Sequence, residues 1–351
     1  MTKSIQIGKD YLGAGHPPYI IAEMSGNHNQ DINRALRIID AAKAAGAHAV
    51  KLQTYTADTI TLDHDGDEFM LKEGLWKGRN LYELYEEAHT PWDWHKDLFD
   101  HARKKDITLF SSPFDRTAID LLEDLNAPAY KIASFEIIDL PLIRYAAETG
   151  KPMIISTGLA NKQEIGEAIE AVRECHNPNL VILHCVSGYP SEPHEANLKT
   201  MCDIATQFGV MAGLSDHSHG VAVPIAATAL GAAVIEKHIT LSRAEGGVDS
   251  AFSLEPQEFS ELVSSCRMAY DAIGTVHYDL KKSELENQGS RRSLYAVAEI
   301  KKGDLLDKHN IRSIRPGLGL KPKYYDEILG QKSRCDIARG TPLSWDMLRD
   351  E

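Results

Sequence analysis

Between residues 19 and 238, eight apolar, β-branched runs recur, and amphipathic stretches separate many of them. The runs are YIIAEM (19–24), AVKLQ (49–53), ITLFSS (107–112), YKIAS (130–134), PMIIST (152–157), LVILHC (180–185), GVMAGLS (209–215) and AAVIEKH (232–238). Runs apolar on both faces suit strands covered on both sides, as in a parallel sheet. The stretches NRALRIIDAAKAAG (33–46), TAIDLLEDLN (117–126) and KQEIGEAIEAVREC (162–175) carry helical periodicity. Asp31 is placed to cap the first helix before Ile32, and Gly46 to end it. Eight strands in about 240 residues match an α/β (β/α)8 barrel in number and size. A doubly wound sheet is the alternative, disfavoured because no glycine-rich dinucleotide loop follows the first strand.

Residues 54–106 are more than a barrel connection needs. Their segment LYELYEEAHTPWDWHKDLFDHARKKD reads as helices covering the barrel, with a partial lid over the substrate as the alternative. After residue 280, short strands and glycine turns replace long helices. The expected organisation is a barrel over 1–280, a polar linker at 281–289 and a small β-rich module over 290–351. So small a module buries little surface alone, and docking onto a barrel would help it.

Charge narrows the function. The chain has 51 acidic residues against 38 basic ones, a net charge of -13, which argues against nucleic acid or an anionic membrane as partner. A few local lysines still suffice for an anionic small substrate. No run is apolar enough for export or for crossing a bilayer. Five scattered cysteines without CxxC spacing fit reduced thiols in a cytoplasmic protein.

In a barrel, chemistry belongs at the C-terminal ends of the strands. The first strand ends in Glu23 and SGNHNQ, and the second carries Lys51 and Gln53. Ser111 and Ser112 finish the third, and Lys131, Ser134 and Glu136 follow on the fourth. Ser156 and Thr157 end the fifth, and the sixth runs into His184, Ser187 and Tyr189. The seventh supplies Ser215, Asp216 and His217, and the eighth Glu236, Lys237 and His238. Such a ring costs desolvation free energy unless its members satisfy one another or hold a ligand. A purely structural ion-pair network is the alternative.

The seventh strand's GLSDHSHG offers two histidines. His217 on one strand and His238 on its neighbour meet at the barrel mouth, whereas His219 lies just beyond, beside Gly220. Two imidazoles with open positions suit Mn2+ or a similar ion such as Mg2+ or Co2+; two hydrogen-bonded core histidines are the alternative. Lys51 and Lys131 among hydroxyls make a site for a phosphate or carboxylate. Either lysine could instead form a Schiff base. Glu23, Glu136 and Asp249 are carboxylates able to move a proton during addition to a carbonyl.

Taken together, IIAEMSGNHNQ, AVKLQTY, YKIASFEI, IISTG, GLSDHSHG, IEKHITL and NIRSIRPGLGL resemble the sialic acid synthase family over nearly the whole chain. The resemblance implies a (β/α)8 TIM barrel followed by an antifreeze-like domain of the SAF type. It implies a homodimer in which each small domain covers the partner's barrel. The implied reaction condenses phosphoenolpyruvate with an N-acylated amino sugar to a nonulosonic acid, with a divalent metal on His217 and His238. Lys51, Ser111, Lys131, Ser134, Ser156, Ser187 and Ser215 then match the phosphoenolpyruvate set. Glu23 matches a carboxylate close to both substrates, and Glu136 the proton-transfer residue. Asn27, Gln53, Tyr189 and Asp249 match sugar contacts, and Arg315 would reach the partner's active site.

Some motifs depart from the sialic type. CVSGYP puts Ser187 where the family has an asparagine, and GVDS keeps Asp249 but puts Ser250 in place of a histidine. With SGNHNQ and LYELYEEAHTPWDWH, these changes look most like the branch that makes pseudaminic acid; the legionaminic and N-acetylneuraminic branches are the alternatives. The acceptor so implied, 2,4-diacetamido-2,4,6-trideoxy-L-altrose, lacks a 6-hydroxyl and calls for a less polar pocket. Tyr82, Tyr85, Trp92 and Trp94 are the aromatic candidates to line it.

Overall fold

The structure is a computed structural model that describes residues 4–348. The outermost residues of both expected domains, 1–3 and 349–351, lie outside the described residues. Eight strands form a closed, all-parallel barrel: β1 (Tyr19–Glu23), β2 (Ala49–Thr54), β3 (Thr108–Pro113), β4 (Tyr130–Ile132), β5 (Met153–Ser156), β6 (Leu180–Cys185), β7 (Met211–Asp216) and β8 (Val234–His238). They neighbour one another in chain order, and β8 closes onto β1 with His238 opposite Glu23. The alternative of an open doubly wound sheet is thereby excluded.

The two-residue period of a strand sorts the apolar side chains into two cores. Ile21, Phe110, Ile154 and Leu183 pack inside the barrel, while Ile20, Leu109, Ile155 and Ile182 pack outside against the helices. An antiparallel hairpin, Ile5–Ile7 with Asp10–Leu12, adds Ile7 and Leu12 to the inner core beside Tyr19. It closes the N-terminal end of the barrel and leaves the opposite end for polar residues.

Helix Ile32–Ala45 shows how the outer layer is specified. The Asp31 side chain accepts from Asn33 N at 2.8 Å, and Gly46, at φ 90°, ends the helix in the left-handed conformation. Ala35, Ile38, Ile39 and Ala42 recur at helical spacing, and all are buried in the outer core. Burying each isoleucine contributes about 1.5–3 kcal/mol.

The excursion between β2 and β3 divides its work. Helix His95–Lys104 buries Leu98, Phe99 and Ala102 in the outer core and so covers the barrel wall. The part before it, with helix Leu81–Ala88, borders the cavity at the barrel mouth.

The chain divides into two compact units, Met1–Gly274 and Thr275–Glu351. Residues 281–290 are all exposed, mostly within the 3-10 helix Lys282–Ser290. The second unit pairs β9 (Ser293–Ala296) antiparallel with β10 (Ile311–Ile314) over its own core of Leu294, Ile300, Leu306, Ile328, Ile337 and Leu343.

Candidate active site

The alternation that points Ile21 and Phe110 inward also points Glu23 and Ser112 inward, one step nearer the mouth. The result is a charged layer on top of an apolar one. Lys51 Nζ lies 2.8 Å from Glu23 Oε2 and 3.6 Å from Glu236 Oε1, and donates to Ser112 Oγ at 3.1 Å. Lys131 Nζ stands 3.8 Å from the same Glu236 oxygen and donates to the Ile132 carbonyl at 3.2 Å. Ser215 Oγ donates to Glu236 Oε1 at 3.3 Å.

Burial penalises every charge in this layer, and the pairings decide which charges survive. For Lys51 burial pulls downward, but Glu23 and Glu236 together outweigh it and hold the ammonium above its ordinary value. Lys131 is left lower by burial, with Glu236 only partly restoring it. Burial pushes Glu23 up to about 7 despite Lys51. Glu236 is held low because Lys131 and Lys51 outweigh its burial.

Beside the lysines the backbone after β5 forms a cradle. Gly158 N donates to Ser134 Oγ at 3.1 Å. A Cβ at this position would stand 2.0 Å from Ser187 Oγ and 2.7 Å from Ser134 Oγ, so only glycine lets the chain close on these hydroxyls. Ser156 Oγ and Glu236 Oε2 are buried without a hydrogen-bond partner. Hydroxyls and two ammonium groups converging on unmet polar atoms make a binding site for a carboxylate or phosphate.

His217 and His238 come together, their ring centroids 5.3 Å apart, and both are buried, whereas His219 is exposed. His217 Nδ1 donates to the Val186 carbonyl at 3.1 Å, so Nε2 is the ring nitrogen left to meet a ligand. Burial lowers this imidazole, but Cys185 and the Val186 carbonyl outweigh it and hold it above its ordinary value. Burial, then His217 and Lys51, keep the His238 imidazole neutral. Its Nδ1 is buried without a hydrogen-bond partner, 3.9 Å from Asp249 Oδ2. Among the described residues no group of three or more His, Cys, Asp or Glu side chains is gathered as a metal site. The two imidazoles therefore fit a divalent ion that takes its other ligands from water or substrate.

A cavity of about 470 Å³ adjoins the histidines. Its polar lining includes Ser25, Gln53, Ser134, Glu136, His238 and Asp249. Gln53 Nε2 donates to Glu23 Oε1 at 2.9 Å and to Ser25 Oγ at 3.0 Å, and Ser25 Oγ donates to Asp249. Burial raises Asp249 and pushes Glu136 up to about 7, and Glu136 Oε2 has no partner. Tyr189 packs on His217 at 4.4 Å and on Phe252 at 5.4 Å between ring centroids.

Two expected residues stand elsewhere. Ser111 Oγ lies 2.6 Å from Thr54 Oγ1, which in turn meets His95 Nε2 at 2.8 Å, on the outer face of the sheet with Leu109. It is Ser112 that reaches Lys51. Asn27 is fully buried and donates from Nδ2 to the Ile239 carbonyl and to Ser253 Oγ, both at 2.9 Å, tying loops together without lining the cavity. Arg315 is exposed at the end of β10 in the second unit. Of the four aromatic candidates only Tyr85 lines the cavity. Tyr82 donates to Asp58 at 3.2 Å, Trp92 to the Tyr55 carbonyl at 3.1 Å, and Trp94 packs on His28. Ser25, Tyr55 and Gly158 complete the site without having been named from sequence, which places Ser112 and Glu236 at the mouth but gives them no role. Strand parity counted from Phe110 singles out Ser112, and Glu236 is two residues from His238 on the same face.

Residues 38–278 match the NeuB family and residues 291–349 the SAF domain. The chain is 47% identical to the pseudaminic acid synthase of Helicobacter pylori over 94% of its own length and 97% of the relative's. It is 37% identical to the N,N'-diacetyllegionaminic acid synthase of Campylobacter jejuni, over 89% of this chain and 94% of that one. The crystal structure of N-acetylneuraminic acid synthetase from Leptospira borgpetersenii, in complex with citrate, superposes with a TM-score of 0.73 at 32% identity. It covers 82% of this chain and 95% of its own. A parallel barrel with a charged mouth, followed by a SAF domain, places the chain in the NeuB family.

Proposed function

We propose that the chain is a pseudaminic acid synthase. It condenses phosphoenolpyruvate with the open-chain aldehyde of 2,4-diacetamido-2,4,6-trideoxy-β-L-altropyranose and water, giving pseudaminic acid and inorganic phosphate. The observation that carries the reading is the Lys51–Glu236–Lys131 layer and its serine cradle beside a largely apolar cavity. An anion and an uncharged sugar can lie there side by side. The higher identity to the pseudaminic than to the legionaminic relative favours this acceptor.

In this mechanism Lys51, Lys131 and the hydroxyls of Ser134, Ser156, Ser187 and Ser215 hold the carboxylate and phosphate of phosphoenolpyruvate. Asp249, Gln53 and Tyr189 orient the sugar. A divalent ion, Mn2+, Mg2+ or Co2+, held by His217 and His238 would polarise the aldehyde carbonyl. Carbon 3 of phosphoenolpyruvate bonds to the aldehyde carbon, and water adds at carbon 2 as Glu136 takes its proton. Glu136 returns that proton to the former aldehyde oxygen, and collapse of the new carbon 2 hydroxyl to the ketone breaks the bond from carbon 2 to the phosphate oxygen, the hydroxyl proton leaving with phosphate. Glu136, without a hydrogen-bond partner on Oε2 and titrating near 7, is suited to that transfer.

The working form is a cytoplasmic homodimer in which Arg315 of each SAF domain serves the partner's barrel. Val276 and Tyr278, apolar residues of the second unit that are 88% and 97% exposed, support a surface that a second copy covers. All five cysteines are free, and among the described residues no helix is long and apolar enough to cross a membrane. Phosphate release with phosphoenolpyruvate and Mn2+ tests the reading against three acceptors: the trideoxy-altrose derivative, the legionaminic precursor and N-acetylmannosamine. Strong preference for the first is expected. Preference for another reassigns the product, and no release with any of them overturns the synthase reading.

A further inference from the structure

Tyr55, two residues beyond Gln53, is 2% exposed and lines the cavity. Its ring meets Phe114 edge-on at 5.0 Å and Tyr85, from helix Leu81–Ala88, at 5.7 Å between centroids. Leu84 of the same helix lines the cavity with them. Among the described residues neither the Tyr55 nor the Tyr85 hydroxyl has a hydrogen-bond partner. Tyr82 and Tyr145, away from the cavity, spend their hydroxyls on Asp58 and Asp120. Neither hydroxyl is sealed from solvent, so each is free to donate to a ligand that enters the cavity.

Chemistry narrows what that ligand group is. Burial, then Asp249 for Tyr55 and Glu136 for Tyr85, raises both phenols, so both stay protonated donors at neutral pH. An amide carbonyl only accepts, and the methyl beyond it needs apolar surface of the kind Leu84 and Phe114 present. The aldehyde carbon must lie beside Glu136 and His238, with the C2 acylamino group attached next to it. Tyr55, Leu84, Tyr85 and Phe114 line the same cavity and have no role in that step.

We propose that Tyr55 and Tyr85, backed by Leu84 and Phe114, form the subsite for the acylamino group remote from the acceptor's aldehyde, and so select a diacylated sugar. The inference rests on the synthase reading and names the residues that set its acceptor specificity.

The test uses the full-length protein with Mn2+ and phosphoenolpyruvate, following phosphate release. One acceptor is the diacetamido sugar; the other is the same sugar with a hydroxyl in place of the remote acetamido group. Wild-type turnover of the diacetamido sugar checks the synthase reading first, and its failure sinks that reading before any variant is made. Given turnover, Tyr55→Phe and Tyr85→Phe should each raise KM for the diacetamido sugar about tenfold. They should leave KM for phosphoenolpyruvate unchanged and shrink the preference between the two sugars. Leu84→Phe, which fills the same space, should reduce use of the diacetamido sugar more than use of its hydroxyl analogue. Equal losses on both sugars in the folded Phe variants, or no change in either KM, would overturn the subsite.

Discussion

Glu136 shows how one buried carboxyl links stability and chemistry. Its pKa is raised from 4.5 to about 7 chiefly by burial. A raised folded-state value favours the fold below the unfolded value, and that contribution is lost as pH rises through about 7. Glu136→Gln should therefore stabilise the protein at pH 8 by about 1–3 kcal/mol, with a smaller gain at pH 5, as read by thermal melts. The same substitution should cost ~10²–10⁴ in kcat and remove the rise of kcat/KM through pH 7. A variant with unchanged melts and an intact pH profile would remove Glu136 from the proton transfer. The two histidine positions are separated as sharply. His217→Ala should weaken Mn2+ binding at least ~100-fold, measured by the electron paramagnetic resonance of free Mn2+. The exposed His219→Ala should bind like wild type. The opposite order would move the metal off His217.

Neighbouring strands hold these residues in place by what lies behind them. On the outer face of β7 and β8, the buried Lys237 donates to Asp216 and to the Ser218 carbonyl, so the residue after Asp216 and the one after Lys237 are the two site histidines. A pair of this kind gives register more than stability. At the end of β5 the backbone itself is part of the site. Gly158→Ala would put a methyl group against Ser134 and Ser187. It should raise KM for phosphoenolpyruvate about 10–100-fold while KM for the sugar stays within a few fold, in steady-state assays. Equal effects on both substrates would mean that the loop distorts as a whole, with no cradle selective for the anion.

Over the whole molecule, light scattering should give twice the mass of one chain, with a variant lacking the residues after 280 losing turnover. A monomeric, active full chain would contradict the service of each barrel by its partner's Arg315. The barrel was legible because its signal is repeated eight times. Each strand is an apolar run, most intervening helices are amphipathic, and no single misreading changes the topology. Residue type and position near a strand end were enough to mark Lys51, Lys131, Glu136, His217 and His238. What composition along a strand does not carry is parity: Ser111 and Ser112 are the same residue type, one position apart. Closure of the sheet, with Gln53 opposite Ser112, turned one toward Lys51 and the other toward Thr54. The loops followed the same rule, since Asn27 and Trp92 satisfy buried backbone carbonyls while Tyr55 and Tyr85 keep free hydroxyls in the cavity. Sequence by itself determined the barrel, the kinds of groups at its mouth and the two histidines. Only the tertiary structure decided which of those groups face a ligand, because a side chain's partners are set by the register and packing of strands distant in the chain.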